Sequence, residues 1–204
     1  MKKPTVFVVD DDDAVRDSIA VLLHSAGLVA ETYASAEEFL SAFSAARPGC
    51  LLLDLNLPGK SGLQLQSDLR RRDMRIPIIF LTAHGDVRTA VQAIKADAFE
   101  YLAKPVEGRT LLAHVRTALE ADRKQRVQEN DRTTLKLALA GLSERERAVL
   151  ALAVVGLPNK EIARRLGISH RTVEVYRSRI LLKTGAATML SLATLAHARG
   201  LSLE

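Results

Sequence analysis

The chain has 204 residues, 48% hydrophobic and 26% charged, the balance of a folded globular protein and not of a disordered or fibrous one. Its first apolar run, residues 6–9, ends in four aspartates and is too short for a signal peptide or a membrane span, so a cytoplasmic protein without membrane association is expected. The one cysteine, Cys50, excludes an internal disulfide and a cysteine-rich zinc cage. The net charge of +5 is unevenly divided: residues 1–120 carry 14 basic and 16 acidic side chains, whereas residues 121–204 carry 15 and 8. A basic second part suits either a nucleic-acid-binding module or a solvated face, and charge alone leaves both open.

Through the first part, short β-rich runs alternate with helical patterns. TVFVV precedes a helix over 14–25, LVAETY one over 36–44, CLLLDL one over 62–71, IPIIFLT one over 87–96, and FEYLA one starting near Gly108. Five apolar runs alternating with helices predict a doubly wound α/β fold, a five-stranded parallel sheet covered on both faces. Ser35 and Glu38 have capping-box spacing, and Gly27 suits a helix end. Residues 109–140 lack Gly and Pro and are strongly charged around ADRKQRVQENDRTT, which reads as a solvated, partly frayed helical linker over 121–140. After Gly141 the pattern is purely helical. Ser143 and Glu146 form a second capping box, Asn159 is placed to cap KEIARRL, Gly167 to end it, and Ser169 to cap HRTVEVYRSRILLKTG. Two helices around a tight Gly turn are a helix-turn-helix, and a last helix is expected over 189–198.

Ligands of an open parallel sheet lie beyond the carboxyl ends of its strands. Asp10 and Asp11 follow the first strand, Asp54 closes the third, Thr82 closes the fourth and Lys104 follows the fifth. Packed carboxylates repel, and a hard cation, Mg²⁺ or Mn²⁺, neutralises them through oxygen ligands. Asp54 is then the nucleophile toward a phosphoryl group, with Lys104 and the Thr82 hydroxyl holding its oxygens, and the product is an acyl phosphate. On the residues alone, Thr82 as a loop cap and Lys104 as a plain ion-pair partner stay open. Lys104-Pro105 is a candidate cis bond.

VVDDDDAVR, LLLDLNLPGKSG, FLTAHGDV and YLAKP together resemble the receiver domain of bacterial two-component response regulators, over residues 1–120. The resemblance implies that Asp10 and Asp11 are the metal-binding acidic pair, Asp54 the phosphoacceptor, Asn56 a metal ligand through its backbone carbonyl, and Lys104 the phosphoryl-holding lysine. It further implies Thr82 and Tyr101 as the switch pair, and Asn56 and His84 as the positions that tune phosphoryl lifetime. Asp12 and Asp13 extend the acidic run and read as loop charge and helix cap, not as ligands.

On the helix from His170, Val173, Tyr176 and Ile180 recur at helical spacing and form the inward stripe. Arg171, Glu174, Val175 and Ser178 fall on the outer face, offering a donor, an acceptor, an apolar contact and a hydroxyl to base edges in a major groove. Lys160, Arg164, Arg165, Arg177, Arg179 and Lys183 suit phosphates. Residues 141–200 resemble the LuxR-type helix-turn-helix domain, with TVEVYR like the FixJ subgroup of the NarL-type regulators. That resemblance implies four helices binding double-stranded DNA as a dimer through the last helix; TGAATM departs from it in lacking an expected basic residue.

The two resemblances imply a transcription regulator switched by a sensor histidine kinase, with RNA polymerase as a further partner. Activity of its own would extend to self-phosphorylation from a phosphodonor and slow dephosphorylation. A homodimer through Val91, Lys95 and Tyr101 is the expected response. Two other readings are a metal-dependent phosphatase using Asp54, and a DNA-binding protein whose receiver no longer signals.

Overall fold

The computed structural model describes residues 3–82 and 98–203. The chain divides into two compact units, Met1–Arg126 and Val127–Glu204. In the first, β1 (Thr5–Val9), β2 (Val29–Tyr33), β3 (Gly49–Asp54), β4 (Ile78–Thr82) and β5 (Glu100–Ala103) form one sheet in the order β2-β1-β3-β4-β5, with every pair parallel. The doubly wound expectation therefore holds. The three central strands β1, β3 and β4 are buried along their whole length, which is why they read as unbroken apolar runs.

Alternate residues serve the two faces. Phe7, Val9, Leu51, Leu53 and Phe80 pack with Phe39 of α2 (Ala36–Ala42) and Leu65 and Leu69 of α3 (Gly62–Arg71). Val6, Val8, Cys50, Leu52 and Ile79 pack with Ile19 and Leu23 of α1 (Asp13–Ser25) and Leu111 and Val115 of α4 (Gly108–Ala140). Each side chain taken fully out of water here is worth about 1.5–3 kcal/mol, so the sheet's period-two pattern locks its register. Burial also pushes the Cys50 thiol up to about 12, with the Asp122 charge adding to it, so this cysteine is an inert core residue.

In the first unit the local signals are met with two amendments in α2. Asp12 caps α1, accepting from the Ala14 and Val15 N–H groups. Ser35 caps α2 by accepting from Glu38 N–H, but the Glu38 carboxylate takes the Ala34 N–H, so the capping box is only half formed. That helix also ends at Ala42, two residues early, because Phe43 turns to an extended conformation that buries its ring. The helix expected over 87–96 lies outside the described residues.

The largest departure concerns the charged segment. α4 is continuous helix over 33 residues where a partly frayed linker was expected, and its middle is anchored. Asp122 is only 3% exposed and accepts from Gly49 N–H at 3.0 Å. Arg126 donates to both Asp122 oxygens and to the carbonyls of Ala45 and Arg47.

In the second unit α5 (Glu144–Val154), α6 (Asn159–Leu166), α7 (His170–Thr184) and α8 (Met189–Ala198) enclose Val149, Leu150, Ile162, Val173, Ile180, Leu192 and Ala196, joined by Leu135 from the end of α4. Ser143 and Glu146 form the reciprocal capping box, and Ser169 caps α7. Gly167 closes α6 in the left-handed region at φ 64°, the geometry a tight helix-turn-helix corner needs. Asn159 is not the cap expected of it: Pro158 occupies the N-cap position and makes no side-chain bond, while the Asn159 side chain serves a tertiary contact described below. Among the described residues no single helix is long and apolar enough to cross a membrane.

Candidate functional site

The parallel order brings the carboxyl ends of β1, β3, β4 and β5 to one edge of the sheet. Asp10, one residue past β1, is 1% exposed, and Asp54, the last of β3, is 8% exposed. Lys104, just past β5, spans them, its Nζ donating to Asp10 Oδ2 at 2.5 Å and Asp54 Oδ2 at 3.2 Å. The second oxygen of Asp10 accepts from Asp12 N–H, and that of Asp54 from Asn56 N–H. One carboxylate oxygen from each of Asp10, Asp11 and Asp54 lies within 4.8 Å of the others, with Asp11 exposed.

Thr82 ends β4 and is buried; it stands one register position beyond Leu81, the partner of Asp54, and its carbonyl accepts the Lys104 N–H at 2.6 Å. Lys104-Pro105 is cis. Tyr101 lies in β5 opposite Phe80, half-buried against the sheet core. Asn56 is exposed on the loop after β3, between buried Leu55 and Leu57. His84, Val91 and Lys95 fall outside the described residues.

Burial works against the Lys104 ammonium, but its hydrogen bond to Asp10 and the charges of Asp54 and Asp10 outweigh that penalty and lift its pKa above the ordinary lysine value. Among the described residues, Lys104 is the cation that bridges these carboxylates. The residual negative charge, presented by hard oxygen donors at one open edge, fits a hard divalent cation. Two supporting residues had no signal of their own in the sequence. Arg16 donates to the Asp10 carbonyl at 2.6 Å while pairing with Asp13. Gly62 approaches so closely that a Cβ there would lie 2.3 Å from the Asp54 carbonyl oxygen; the glycine sits in the quoted LPGKSG run, but its contact crosses a loop.

On α7 the inward stripe is as expected, with Val173 and Ile180 buried and Tyr176 half-buried against the core. Arg171, Glu174, Val175 and Ser178 line one open hollow together with Arg179 and Leu182. Lys160, Arg164, Arg165 and Arg179 are exposed, and Arg164 and Arg165 pair with Glu161. Two further cations of the expected phosphate set have partners outside their own helix. Arg177 donates to Asn159 Oδ1 at 2.9 Å, tying α7 to the start of α6. Lys183 donates to Glu146 at 2.7 Å and to the Gly141 carbonyl. The Lys183 bond, with the Ser143 contacts, holds the Glu146 carboxyl down at about 2.

The model of the response regulator receiver domain matches residues 6–116, and that of the luxR family of bacterial regulatory proteins matches residues 140–196. The transcriptional regulatory protein FixJ of Azorhizobium caulinodans is 44% identical over 197 residues, covering 97% of this chain and 93% of that protein. The chain belongs to the FixJ-like response regulators. Nodulation protein W of Bradyrhizobium diazoefficiens is 40% identical over 98% of this chain and 88% of its own length. The solved structure of the response regulator StyR superposes with a TM-score of 0.87 at 41% identity, covering 97% of this chain and all of that one. Full-length FixJ from B. japonicum superposes with a TM-score of 0.61 at 36% identity over 98% of each chain.

A FixJ-like response regulator joins a receiver to a LuxR-type DNA-binding domain, so this chain is a transcription regulator and not a conventional enzyme. Membership implies a histidine kinase and DNA as its partners. Receiver domains bind Mg²⁺ at an acidic pocket, which here corresponds to the Asp10, Asp11 and Asp54 cluster.

Proposed function

We propose that Asp54 accepts a phosphoryl group from a sensor histidine kinase in the cytoplasm, and that the phosphorylated chain dimerises, binds double-stranded DNA and acts on transcription through RNA polymerase. The observation that carries this reading is the Lys104 ammonium bridging Asp10 and Asp54 beside Asp11. In the transfer, an Asp54 carboxylate oxygen attacks phosphorus, the bond from phosphorus to the donor nitrogen breaks, and an acyl phosphate forms while the histidine regains its lone pair. A Mg²⁺ or Mn²⁺ ion held by Asp10, Asp11, Asp54 and the Asn56 backbone carbonyl would supply charge neutralisation for the carboxylates and the incoming phosphoryl oxygens. Lys104 exchanges a carboxylate oxygen for a phosphoryl oxygen without leaving its place, and Thr82 donates its hydroxyl to another.

Phosphorylation adds about −1.5 to −2 charge at this edge, and Thr82 and Tyr101 are the elements that respond to it. Val91 and Lys95, with Tyr101, form the dimer contact in this account. The receiver spans residues 1–120, a helical linker 121–140 and the DNA-binding domain 141–204. A twofold dimer sets two α7 helices on half-sites about one helical turn apart. Arg171, Glu174, Val175 and Ser178 meet base edges, and Lys160, Arg177 and Arg179 meet phosphates.

Gel filtration and duplex binding with Mg²⁺ and acetyl phosphate test the switch. Wild type should shift to a dimer and gain affinity, and Asp54→Asn should do neither. Equal responses by both proteins would contradict it, and equal affinity with and without the donor would favour a DNA-binding protein whose receiver is silent.

A further inference from the structure

The hollow on α7 contains one carboxylate, and its setting differs from that of the other charged residues around it. Glu174 is the only acidic residue in α7, on a helix that also carries Arg171, Arg177, Arg179 and Lys183. Its side chain is 41% exposed, and each of its oxygens faces a side chain from the preceding turn, the His170 imidazole Nδ1 at 3.7 Å and the Arg171 guanidinium at 3.3 Å. The Arg171 pair runs from cation to carboxylate along the helix, the order that opposes the helix dipole and stabilises least. Glu161 on α6 shows the favourable order, with Arg164 and Arg165 three and four residues after it. Helix stability therefore accounts for Glu161 and not for Glu174.

A carboxylate aimed at a phosphate-lined groove is repelled unless it accepts a hydrogen bond from a donor inside that groove. The major-groove base-edge group that offers a carboxylate good recognition is the exocyclic amine of cytosine. Arg171, beside it in the same hollow, has the donors that suit guanine, and exposed Val175 suits a thymine methyl.

We infer that Glu174 is the specificity-determining residue of the DNA-binding unit and selects cytosine, with Arg171 taking guanine in the same or the neighbouring base pair. The inference rests on the proposal that α7 enters the major groove, and it adds the base that a single side chain requires. When the duplex arrives Arg171 leaves the Glu174 carboxylate and turns to guanine, and the carboxylate oxygen so freed accepts from cytosine.

Selection from a randomised duplex pool by the full-length protein, with Mg²⁺ and acetyl phosphate present, tests this. The sequenced motifs of wild type, Glu174→Ala and Glu174→Gln are compared, and affinities are then measured on the selected duplex and on single-base variants. Wild type should require cytosine at one position of each half-site, with a loss of about 5- to 150-fold on substitution there. Glu174→Ala should lose that preference and keep the others. Glu174→Gln should prefer adenine at the same position, because a carboxamide both donates and accepts. Arg179→Ala serves as a control and should weaken all duplexes alike. If Glu174→Ala selects the wild-type motif, or loses affinity equally for every sequence, the inference is overturned while the regulator reading stands. If wild type binds no duplex at all, both fall.

Discussion

Replacing Lys183 with methionine keeps the aliphatic stem and removes the charge that Glu146 depends on. The Glu146 carboxylate is only 4% exposed and receives Lys183 Nζ at 2.7 Å and the Ser143 N–H at 2.8 Å. Its fall from 4.5 to about 2 corresponds to roughly 3 kcal/mol at 1.36 kcal/mol per pH unit. Lys183 itself is 42% exposed, so solvent screens part of this, and the capping-box bond to Ser143 survives the substitution. About 2 kcal/mol is therefore expected from the exchange, within the range for a charge-assisted bond. Hydrogen exchange followed by mass spectrometry on the full chain reads this locally, and amides of α5 and α7 should exchange ~30-fold faster while the β1 and β3 amides do not change. The pH dependence follows with a definite sign. A carboxyl whose folded pKa is depressed stabilises fully above its unfolded value, so the protection should be present above pH 4.5 and be lost as pH falls toward 2. Unchanged exchange in α5 and α7, combined with a salt dependence of DNA binding shallower by about one counterion, would refute the reasoning and return Lys183 to the phosphates.

Three further outcomes follow from the same geometry. Arg126→Ala leaves the buried Asp122 carboxylate without its ion pair, which should cost about 3 kcal/mol, seen as accelerated exchange over residues 45–50 and 118–126. Gly62→Ala must displace the Asp54 carbonyl or α3; it should lower receiver stability by at least 2 kcal/mol, read as a reduced melting temperature, and an unchanged melting curve would show that the approach is looser than described. Lys104→Met removes the cation from Asp10 and Asp54; phosphorylation by acetyl phosphate should slow by at least tenfold, and a wild-type rate would contradict the role given to the ammonium.

The acidic site was legible because a parallel sheet must bring its strand ends together, so Asp10, Asp54, Thr82 and Lys104 could be aligned from apolar runs alone. The outer face of α7 was legible for a similar reason: Val173, Tyr176 and Ile180 fix which way the helix faces, and Arg171, Glu174, Val175 and Ser178 must then point away. Tertiary partners of charged residues were not legible. Asp122 and Arg126 sit in a run that looks like any solvated helix, and only the Gly49 N–H and the Ala45 and Arg47 carbonyls, more than 70 residues away in sequence, make them buried. Lys183 and Arg177 looked like free cations because Glu146 and Asn159 lie on other helices. Asn159 looked like a cap because its residue type favours that position, but Pro158 already supplies the extended entry and Arg177 engages the side chain.

The proposed switch requires the buried Asp54 carboxylate at the end of β3 to become an acyl phosphate. Intact-protein and peptide mass spectrometry after treatment with acetyl phosphate and Mg²⁺ tests it most directly. One added phosphoryl group, alkali- and hydroxylamine-labile and located on Asp54, is expected, and none in Asp54→Asn. A phosphoryl group on another residue, or none on wild type under any phosphodonor, would contradict it.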